Sequence, residues 1–196
     1  ARRLLVLAGT IGGVDRWVPP ATQEGRPISN SYWVRHAQLL AGEYPGSDDE
    51  GEARERLRRF LDAGVTYFVD LTEAGELAAY DGVLADEASA RGVRAVHDRR
   101  GIADAGLPRS AAETAEILDA IDRALGEGHV VYVHCWGGIG RTGTIVGCHL
   151  RRHGLGGDEA LDALGAMWRH VEKVYRKPQT PETPEQAEYV RRWRER

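Results

Sequence analysis

Residues 129–153 read HVVYVHCWGGIGRTGTIVGCHLRRH, and this stretch determines how the rest of the chain can fold. Its first part, residues 129–133, is apolar and valine-rich, which is typical of a buried β-strand. Its last part, Thr142–His153, has the pattern of a helix. The glycine-rich turn between them leads into the helix N-terminus, where free backbone N–H groups and the helix dipole bind anions such as phosphate. The sequence therefore predicts a strand–loop–helix unit with an anion site at its turn.

Cys135 and Arg141 stand six positions apart in this turn, and no charged residue lies between them. A helix N-terminus and a neighbouring cation favour the thiolate form of a cysteine, so we expect Cys135 to be a nucleophile near neutral pH. The planar guanidinium of Arg141 can bind two phosphate oxygens at once. A phosphate-sized cradle that holds a thiolate predicts nucleophilic attack on phosphorus.

The run His134-Cys135-(five residues)-Arg141-Thr142-Gly143 resembles the signature loop of the cysteine-dependent protein tyrosine and dual-specificity phosphatase superfamily. The resemblance implies that Cys135 forms a phosphocysteine intermediate, that Arg141 binds the phosphoryl group and that Thr142 assists breakdown of the intermediate. It also implies that His134 keeps the surroundings of the thiolate in shape. The loop residues that would bind substrate together with Arg141 are Trp136, Gly137, Gly138, Ile139 and Gly140. This chemistry needs no cofactor, and we expect none.

A departing alkoxide or phenolate needs a proton donor, and the resemblance implies an aspartic acid on a separate loop about thirty residues before the cysteine. Residues 101–108, GIADAGLP, resemble the acid loop of the compact dual-specificity phosphatases, most closely the kinase-associated phosphatase type. They place Asp104 thirty-one positions before Cys135. Asp98, which follows the predicted strand Val93–His97, is the competing candidate. We favour Asp104, because glycine and proline make its segment a mobile loop.

The C-terminal segment 177–186, KPQTPETPEQ, resembles the Gln-Thr-x-x-Gln stretch with which tyrosine phosphatases position the attacking water. In one register Gln186 is the second glutamine; in the other, which starts at Gln179, Thr183 takes that place. The same residues also form a helix start, with Thr183 as N-cap, Pro184 in the first position and Gln186 in the third. We weigh this structural role of Gln186 above the catalytic one.

Strand and helix patterns alternate along the rest of the chain. The strands are predicted at Ser31–Arg35, Gln38–Gly42, Val65–Leu71 and Val93–His97, and the helices at Asp48–Ala63 with Ser47 or Asp48 as N-cap, Val83–Arg91, Ser110–Leu125, Asp158–Val171 and Thr183–Arg194. This order predicts an α/β fold, with a central, mainly parallel sheet flanked by helices on both faces, as in the protein tyrosine phosphatase-like fold that the resemblance implies. Ligands bind beyond the carboxyl ends of such strands, where both Asp104 and Cys135 fall.

The resemblance defines two parts of the chain. Residues 29–196 are interpreted as a dual-specificity phosphatase-like catalytic domain, and residues 1–28 as an N-terminal extension of unknown role. Within the extension, Arg2–Gly9 only weakly resembles a secretory signal, because it lacks a small-x-small cleavage site. Two cysteines leave little scope for a disulfide framework. Because a reactive thiolate is easily oxidised, we expect a reducing compartment and a cytoplasmic location.

Charge and composition narrow the partners. The net charge of −4 gives no basic footprint for nucleic acid, so we expect no nucleic-acid partner. No stretch approaches the length of a membrane span, and the oligomeric state is left open. His149 and His153 stand four positions apart, a spacing compatible with metal binding, but the sequence offers no third ligand beside them, and we expect no metal.

The substrate is the least determined part. Relatives that act on phosphoinositides tend to carry lysine inside the signature loop, and this loop has none. That favours a phosphorylated protein or another singly phosphorylated molecule. The alternatives are a phosphoinositide or other small phosphomonoester phosphatase with the same site, and a phospho-binding module. We favour a packing role for Trp136 over a substrate contact. Arg99 and Arg100 either bind a second anionic group of the substrate or are simply exposed side chains.

Overall fold

The computed structural model describes residues 10–11, 14–15 and 17–195 of the 196-residue chain. The weakly signal-like stretch Arg2–Gly9 lies outside these residues. Two short antiparallel strands come first, β1 (Thr10–Ile11) and β2 (Val14–Asp15). The main sheet is formed by β3 (Ser31–Arg35), β4 (Leu39–Gly42), β5 (Val65–Asp70), β6 (Val96–Arg99) and β7 (Val130–His134). The helices are α1 (Glu50–Asp62), α2 (Asp81–Ala90), α3 (Ala111–Gly126), α4 (Gly140–Arg152), α5 (Gly157–Trp168) and α6 (Pro184–Arg192), with a 3-10 turn at Glu172–Tyr175.

The strands of the main sheet lie in the order β3-β4-β7-β5-β6. β3 pairs antiparallel with β4, and every other neighbouring pair is parallel. The predicted α/β fold with a mainly parallel sheet is confirmed. Its carboxyl ends bring the segments after β5, β6 and β7 to one edge, as in other sheets of this type.

Two apolar cores cover the two faces of the sheet. One contains side chains of α3, α4, α5 and α6, and the other contains side chains of α1 and α2. The central strand β7 contributes to both, since Val131 and Val133 face the first core and Tyr132 faces the second. A strand that is buried on both faces must be apolar at successive positions, which explains the continuous apolar run before Cys135.

Several predicted boundaries were wrong, among them the end of α5, which is Trp168 and not Val171. The N-cap of α1 is Asp49, whose carboxylate accepts the Glu52 N–H at 2.9 Å, and not Ser47 or Asp48. Strand β6 begins three residues later than predicted, because the residues before it form the C-terminal end of α2. The Val93 N–H donates to the Ala88 carbonyl, with Gly92 at a φ of +67°, which is the Schellman ending of a helix. Asp98 therefore lies inside β6.

The described part of the predicted extension packs against the domain. The Trp17 side chain is buried, and its indole N–H donates to the Val34 carbonyl at 2.9 Å. Arg26 donates to the carbonyls of Ser31 (2.7 Å) and His170 (2.8 Å). Residues 17–28 thus brace the edge strand β3, and the domain boundary at residue 29 stays a prediction.

Helix α4 is the centre of the helical layer, and its residues from Gly140 to Leu150 are buried. It lies against α6 at Gly147, where an added Cβ would come 2.8 Å from both methyl carbons of Val190. A glycine is therefore needed for the close approach of these helices. Among the residues that the structure describes, none of the helices combines the length and the apolar character needed to span a bilayer.

Replacing Gly147 by alanine should destabilise the protein, although alanine is the better helix former. Alanine gains about 1 kcal/mol over glycine in a helix interior, whereas overpacking a filled core costs about 1–3 kcal/mol. The stiff, branched Val190 side chain gives way poorly. We expect a net loss of up to about 2 kcal/mol in the free energy of unfolding, measured by urea denaturation.

The matched control is Gly165→Ala in α5, where no neighbouring atom lies within 4 Å of the added Cβ. With open space, only the helix propensity changes, and we expect a gain of about 0.5–1 kcal/mol. If both variants were stabilised, the close packing of α4 on α6 would not be limiting.

Candidate active site

The loop between β7 and α4 turns its carbonyl groups toward the surrounding protein. Three of them accept hydrogen bonds from outside the loop: Trp136 from the Tyr44 N–H (2.9 Å), Gly137 from the Lys173 ammonium (3.3 Å) and Ile139 from the Thr180 hydroxyl (2.8 Å). In a trans peptide the N–H points away from the carbonyl of the same unit. The N–H groups that follow these carbonyls therefore face the inner side of the loop, which makes a cradle of donors for an anion.

The start of α4 adds further donors to this cradle. Its N-cap residue, Ile139, has no side-chain acceptor, so its side chain does not cap the first N–H groups of the helix. Gly138 adopts a φ of +74°, and an added Cβ would lie 2.4 Å from the backbone of Gly42 at the end of β4. Only glycine fits there, so the loop sequence follows from the path of its backbone.

Cys135 and Trp136 differ in exposure although they are adjacent. The Cys135 side chain is buried at the base of the cradle, whereas Trp136 is 60% exposed. The interpretation of Trp136 as a packing residue was wrong, because its indole lies on the surface. It borders a cavity of about 260 Å³ that Tyr44 and Leu77 also line. The side chain therefore forms part of the rim of the site.

Arg141 is buried and holds two other loops. Its Nη1 donates to Glu76 (2.7 Å) and to the Ile102 carbonyl (3.0 Å), and its Nη2 donates to Glu76 (2.6 Å) and Asp104 (2.9 Å). Burial alone would lower the pKa of Arg141, but the hydrogen bonds that Arg141 donates to Glu76 raise it. The bond from Arg141 in turn lowers the pKa of Glu76. A fixed cation thus lies beside the cradle, with one acidic partner that aligns it and another, Asp104, on the acid loop.

The two acid candidates occupy different places. The Asp104 side chain is 65% exposed and reaches Arg141. Asp98 is held at the sheet, because its carboxylate accepts hydrogen bonds from the Tyr67 hydroxyl (2.8 Å) and from Arg100 (2.9 Å). The structure brings Asp104, and not Asp98, to the cysteine loop.

Gln186 lies between the acid loop and the cysteine loop. Its Oε1 accepts the N–H groups of Glu182 and Thr183, which completes the predicted capping box of α6. Its Nε2 donates to the carbonyl of Gly106 at 3.0 Å. An added Cβ at Gly140 would meet the Gln186 amide at 2.9 Å. The side chain therefore caps a helix and ties the acid loop to the start of α4.

His134 belongs to a buried polar network behind the cysteine. Its Nδ1 lies 3.2 Å from the Cys135 carbonyl, which can only accept, so Nδ1 carries the proton and Nε2 accepts from the Tyr80 hydroxyl at 2.7 Å. Burial lowers the pKa of His134 to about 4, so the ring is neutral near pH 7. His134 therefore fixes the backbone at the cysteine and adds no charge.

Asp70 anchors the other end of this network. Its buried carboxylate accepts from Thr72 (2.6 Å) and His97 (3.0 Å) and lies 3.1 Å from Arg99. Burial by itself would raise the pKa of Asp70, but the hydrogen bonds from His97 and Thr72 hold it well below its usual value. The carboxylate stays ionised and organises the end of β5.

Thr142 is buried, and its hydroxyl has no hydrogen-bond partner within the described part of the chain. The neighbouring Thr144 hydroxyl, by contrast, donates to the Gly140 carbonyl at 2.9 Å. A buried hydroxyl without a partner is costly unless a ligand or water supplies one. Thr142 is thus available to a group bound in the loop.

Sequence reasoning missed Glu76 and Asp70. Asp70 ends the apolar strand β5, and Glu76 lies in the loop that follows it. A carboxylate at the carboxyl end of a buried parallel strand is a signal for the site. Tyr80 gave no such signal, because an aromatic residue at the start of a helix is usually a core residue.

Comparisons with known proteins place this geometry in context. The family model described as polymorphic toxin system, DSP-PTPase phosphatase matches residues 45–155, more than half of the chain. A protein of Invertebrate iridescent virus 3 that is named as a tyrosine phosphatase, 067L, is 32% identical over 123 residues, which cover 61% of this chain and 45% of that protein. The chain thus spans less than half the length of this curated relative.

Two solved structures share the fold. Kinase associated phosphatase, with its catalytic cysteine replaced by serine, aligns with a TM-score of 0.60 at 21% identity over 78% of this chain and 83% of its own. Tk-PTP in its active form aligns with a TM-score of 0.56 at 27% identity over 82% of this chain and 93% of its own.

Replacing Asp104 by asparagine should strengthen the binding of inorganic phosphate about tenfold, measured by calorimetry. The carboxylate competes with an anion for Arg141, and a hydrogen bond to a charged group is worth about 1.5–3 kcal/mol, less for an exposed partner. Arg141→Lys should remove most binding, because lysine lacks the planar fork. Asp98→Asn is the matched control and should bind like wild type; a gain there equal to that of Asp104→Asn would contradict the assignment.

Acidification should destabilise the protein through His134. The folded pKa is about 4 and the unfolded value 6.5, so the unfolded state binds more protons between these values, and stability falls as the pH drops through this range. The expected loss from pH 7 to pH 5 is about 2 kcal/mol in the free energy of unfolding. Urea titrations of wild type and His134→Asn test this, since the variant should lose that part of the pH slope. Parallel slopes would refute the buried, neutral state of His134.

Proposed function

The chain belongs to the polymorphic toxin system DSP-PTPase phosphatase family, and on that premise we propose that it is a phosphomonoester hydrolase, a protein tyrosine or dual-specificity phosphatase that acts through a phosphocysteine intermediate. The observation that carries the proposal is the 2.9 Å contact between Asp104 of the acid loop and Arg141 of the cysteine loop. This contact supports Asp104 as the proton donor, because its carboxylate then lies beside the residue expected to bind phosphate.

The first step transfers the phosphoryl group to sulfur. The Cys135 thiolate attacks phosphorus, the S–P bond forms, and the bond from phosphorus to the leaving oxygen breaks. Asp104 donates a proton to that oxygen, because an alkoxide or phenolate leaves poorly without one. The fork of Arg141 and the inward N–H groups of the loop stabilise the charge on the three equatorial oxygens.

The second step releases phosphate. Water attacks the phosphocysteine, Asp104 accepts its proton, and the S–P bond breaks to return the thiolate. The free hydroxyl of Thr142 is positioned in the first turn of α4, where it can donate to the departing sulfur. Gln186 supports this step by holding the acid loop, since both ends of its amide are engaged in structural bonds.

Substrate binding must rearrange the pair of Asp104 and Arg141. A phosphate dianion that binds the guanidinium takes the place of the carboxylate at Nη2, and the exposed Asp104 is then free to turn toward the leaving oxygen. Glu76, with its two bonds to the same guanidinium, keeps the cation aligned during the exchange. Substrate binding thereby frees the Asp104 carboxyl group from Arg141 to act as the acid.

The charge around the loop favours a singly phosphorylated substrate. The described cations near the loop are paired with carboxylates: Lys173 and Arg56 both with Glu43 (2.6 and 2.9 Å), Arg99 with Asp70 (3.1 Å) and Arg100 with Asp98 (2.9 Å). The exposed indole of Trp136 on the rim suits contact with a peptide. The name of the viral relative supports phosphotyrosine among the possible residues.

The catalytic domain of this proposal comprises residues 29–196, with residues 1–28 as an extension. The family match at residues 45–155 and Gln186 both lie within these limits. A reducing, cytoplasmic environment fits the mechanism, because an oxidised Cys135 cannot attack phosphorus.

Turnover by active-site variants tests the mechanism. Cys135→Ser should abolish hydrolysis of aryl phosphates while phosphate binding persists. Asp104→Ala should lower the rate by about 10²–10⁴ for a poor leaving group such as phosphoserine, the usual worth of general acid catalysis, and by less for p-nitrophenyl phosphate. Asp98→Ala is the control and should retain activity. Residual turnover by Cys135→Ser would exclude a covalent intermediate.

A substrate panel then separates the alternatives. Wild type should hydrolyse phosphotyrosine, phosphoserine or phosphothreonine peptides faster than phosphoinositides at equal concentration. Faster hydrolysis of a phosphoinositide would assign the small-phosphomonoester alternative, and binding without turnover of any substrate would leave a phospho-binding module.

A further inference from the structure

Two histidines at the C-terminal end of α4 face a carboxylate of α3. The Asp122 Oδ1 atom lies 3.2 Å from His153 Nε2 and 3.6 Å from His149 Nδ1. The two imidazole rings lie 4.2 Å apart, and one donor atom from each of the three residues lies within 4.8 Å of the others. The third ligand that the sequence pattern lacked comes from a different helix.

Two of these three separations are close to the edges of a metal coordination sphere, although the shorter, between Asp122 and His153, is also the length of a hydrogen bond. A tetrahedral ion with bonds of about 2.0–2.1 Å has ligand atoms about 3.3 Å apart. The two distances from Asp122 to the histidines lie close to that value. Two imidazoles and one carboxylate are also a donor set that suits Zn²⁺ and related divalent ions.

His149 supplies an independent observation. Its side chain is fully buried, and within the described residues neither ring nitrogen has a hydrogen-bond partner. A buried polar group without a partner costs about 1–3 kcal/mol and points to a missing ion or water.

We propose that Asp122, His149 and His153 bind a divalent transition-metal ion of the Zn²⁺ class, with a fourth position left to water. The site is distinct from the cysteine loop, because His149 lies nine residues along α4 from Gly140, about 14 Å away. The ion clamps the end of α4 to α3 and acts on stability, not on phosphoryl transfer.

The neighbouring cations shape this site. Arg152 binds Asp122 through the other carboxylate oxygen, Oδ2, at 3.0 Å, and so orients Oδ1 toward the histidines. Arg35 lies with Nη2 at 3.2 Å from His153 Nδ1. A metal on Nε2 leaves the ring proton on Nδ1, where Arg35 offers no acceptor. Metal binding therefore requires Arg35 to turn away, which sets the affinity below that of an unopposed site.

Metal titration of the tag-free, 196-residue chain tests the proposal. The Cys135→Ser background is used throughout, because a free thiolate would itself bind Zn²⁺. Calorimetry should give one Zn²⁺ per chain, and Co²⁺ should produce the visible absorption of a tetrahedral site. At a Zn²⁺ concentration about a hundredfold above Kd, the Tm should rise by about 5–10 °C over the chelated protein.

The variants distinguish this site from surface binding. Asp122→Asn and His149→Gln should each lower Zn²⁺ affinity at least tenfold and remove the Co²⁺ absorption, whereas His36→Gln, at an exposed histidine, should leave both unchanged. Asp122 is partly exposed, so its variant carries the test if His149→Gln does not fold. Arg35→Gln should bind Zn²⁺ about tenfold more tightly, because the amide oxygen can accept the Nδ1 proton.

Three results would overturn the proposal. They are the absence of stoichiometric Zn²⁺ uptake, equal affinity of Asp122→Asn and His36→Gln, and a crystal structure grown with Zn²⁺ in which an ordered water contacts His149. The first two would mean that these three residues bind no ion, and the third that a water molecule satisfies the buried imidazole.

Discussion

The buried guanidinium of Arg141 is the interaction on which the arrangement of the site depends. It joins the loops that follow three parallel strands: Glu76 after β5, Ile102 and Asp104 after β6, and Arg141 itself after β7. A cation taken out of water is costly unless it is paired and hydrogen-bonded. The pairing therefore constrains all three loops at once, and the sheet needs only to deliver their starting points to one edge.

The C-terminal segment secures this arrangement from the other side. Gly140, Gly143 and Gly147 lie along one face of α4, and an added Cβ at each would collide with Gln186, Thr180 and Val190 in turn. The missing side chains let residues 180–190 lie directly on the helix that carries the cradle. From there, Thr180 holds the Ile139 carbonyl outward and Gln186 holds Gly106 of the acid loop. A segment far from the cysteine in sequence thus supports both the cysteine loop and the acid loop.

The sequence was informative where chemistry is local. The strand, the glycine turn and the helix around Cys135 lie in one continuous stretch of sequence. The acid loop was predicted from the resemblance of residues 101–108, from their glycine and proline, and from the distance between Asp104 and Cys135. Features that depend on long-range contacts were not predictable in this way. Glu76 becomes a partner of Arg141 only through the neighbouring positions of β5 and β7, and Trp136 is exposed because the loop around it is held by its backbone. Asp122 approaches His149 only when α3 packs on α4, and this contact cannot be predicted from the spacing of residues along the chain.

The outward carbonyl groups of the cysteine loop have a consequence for how such a protein can diversify. In the proposed function the anion is bound by main-chain N–H groups and by Arg141, so the side chains of Trp136 and Ile139 are not themselves the anion ligands. Evolution can then exchange the residue at the rim, and with it the choice of target, without rebuilding the chemistry beneath. On the proposed mechanism, recognition of the target then depends on side chains at the surface, and phosphoryl transfer depends on the direction of the peptide backbone.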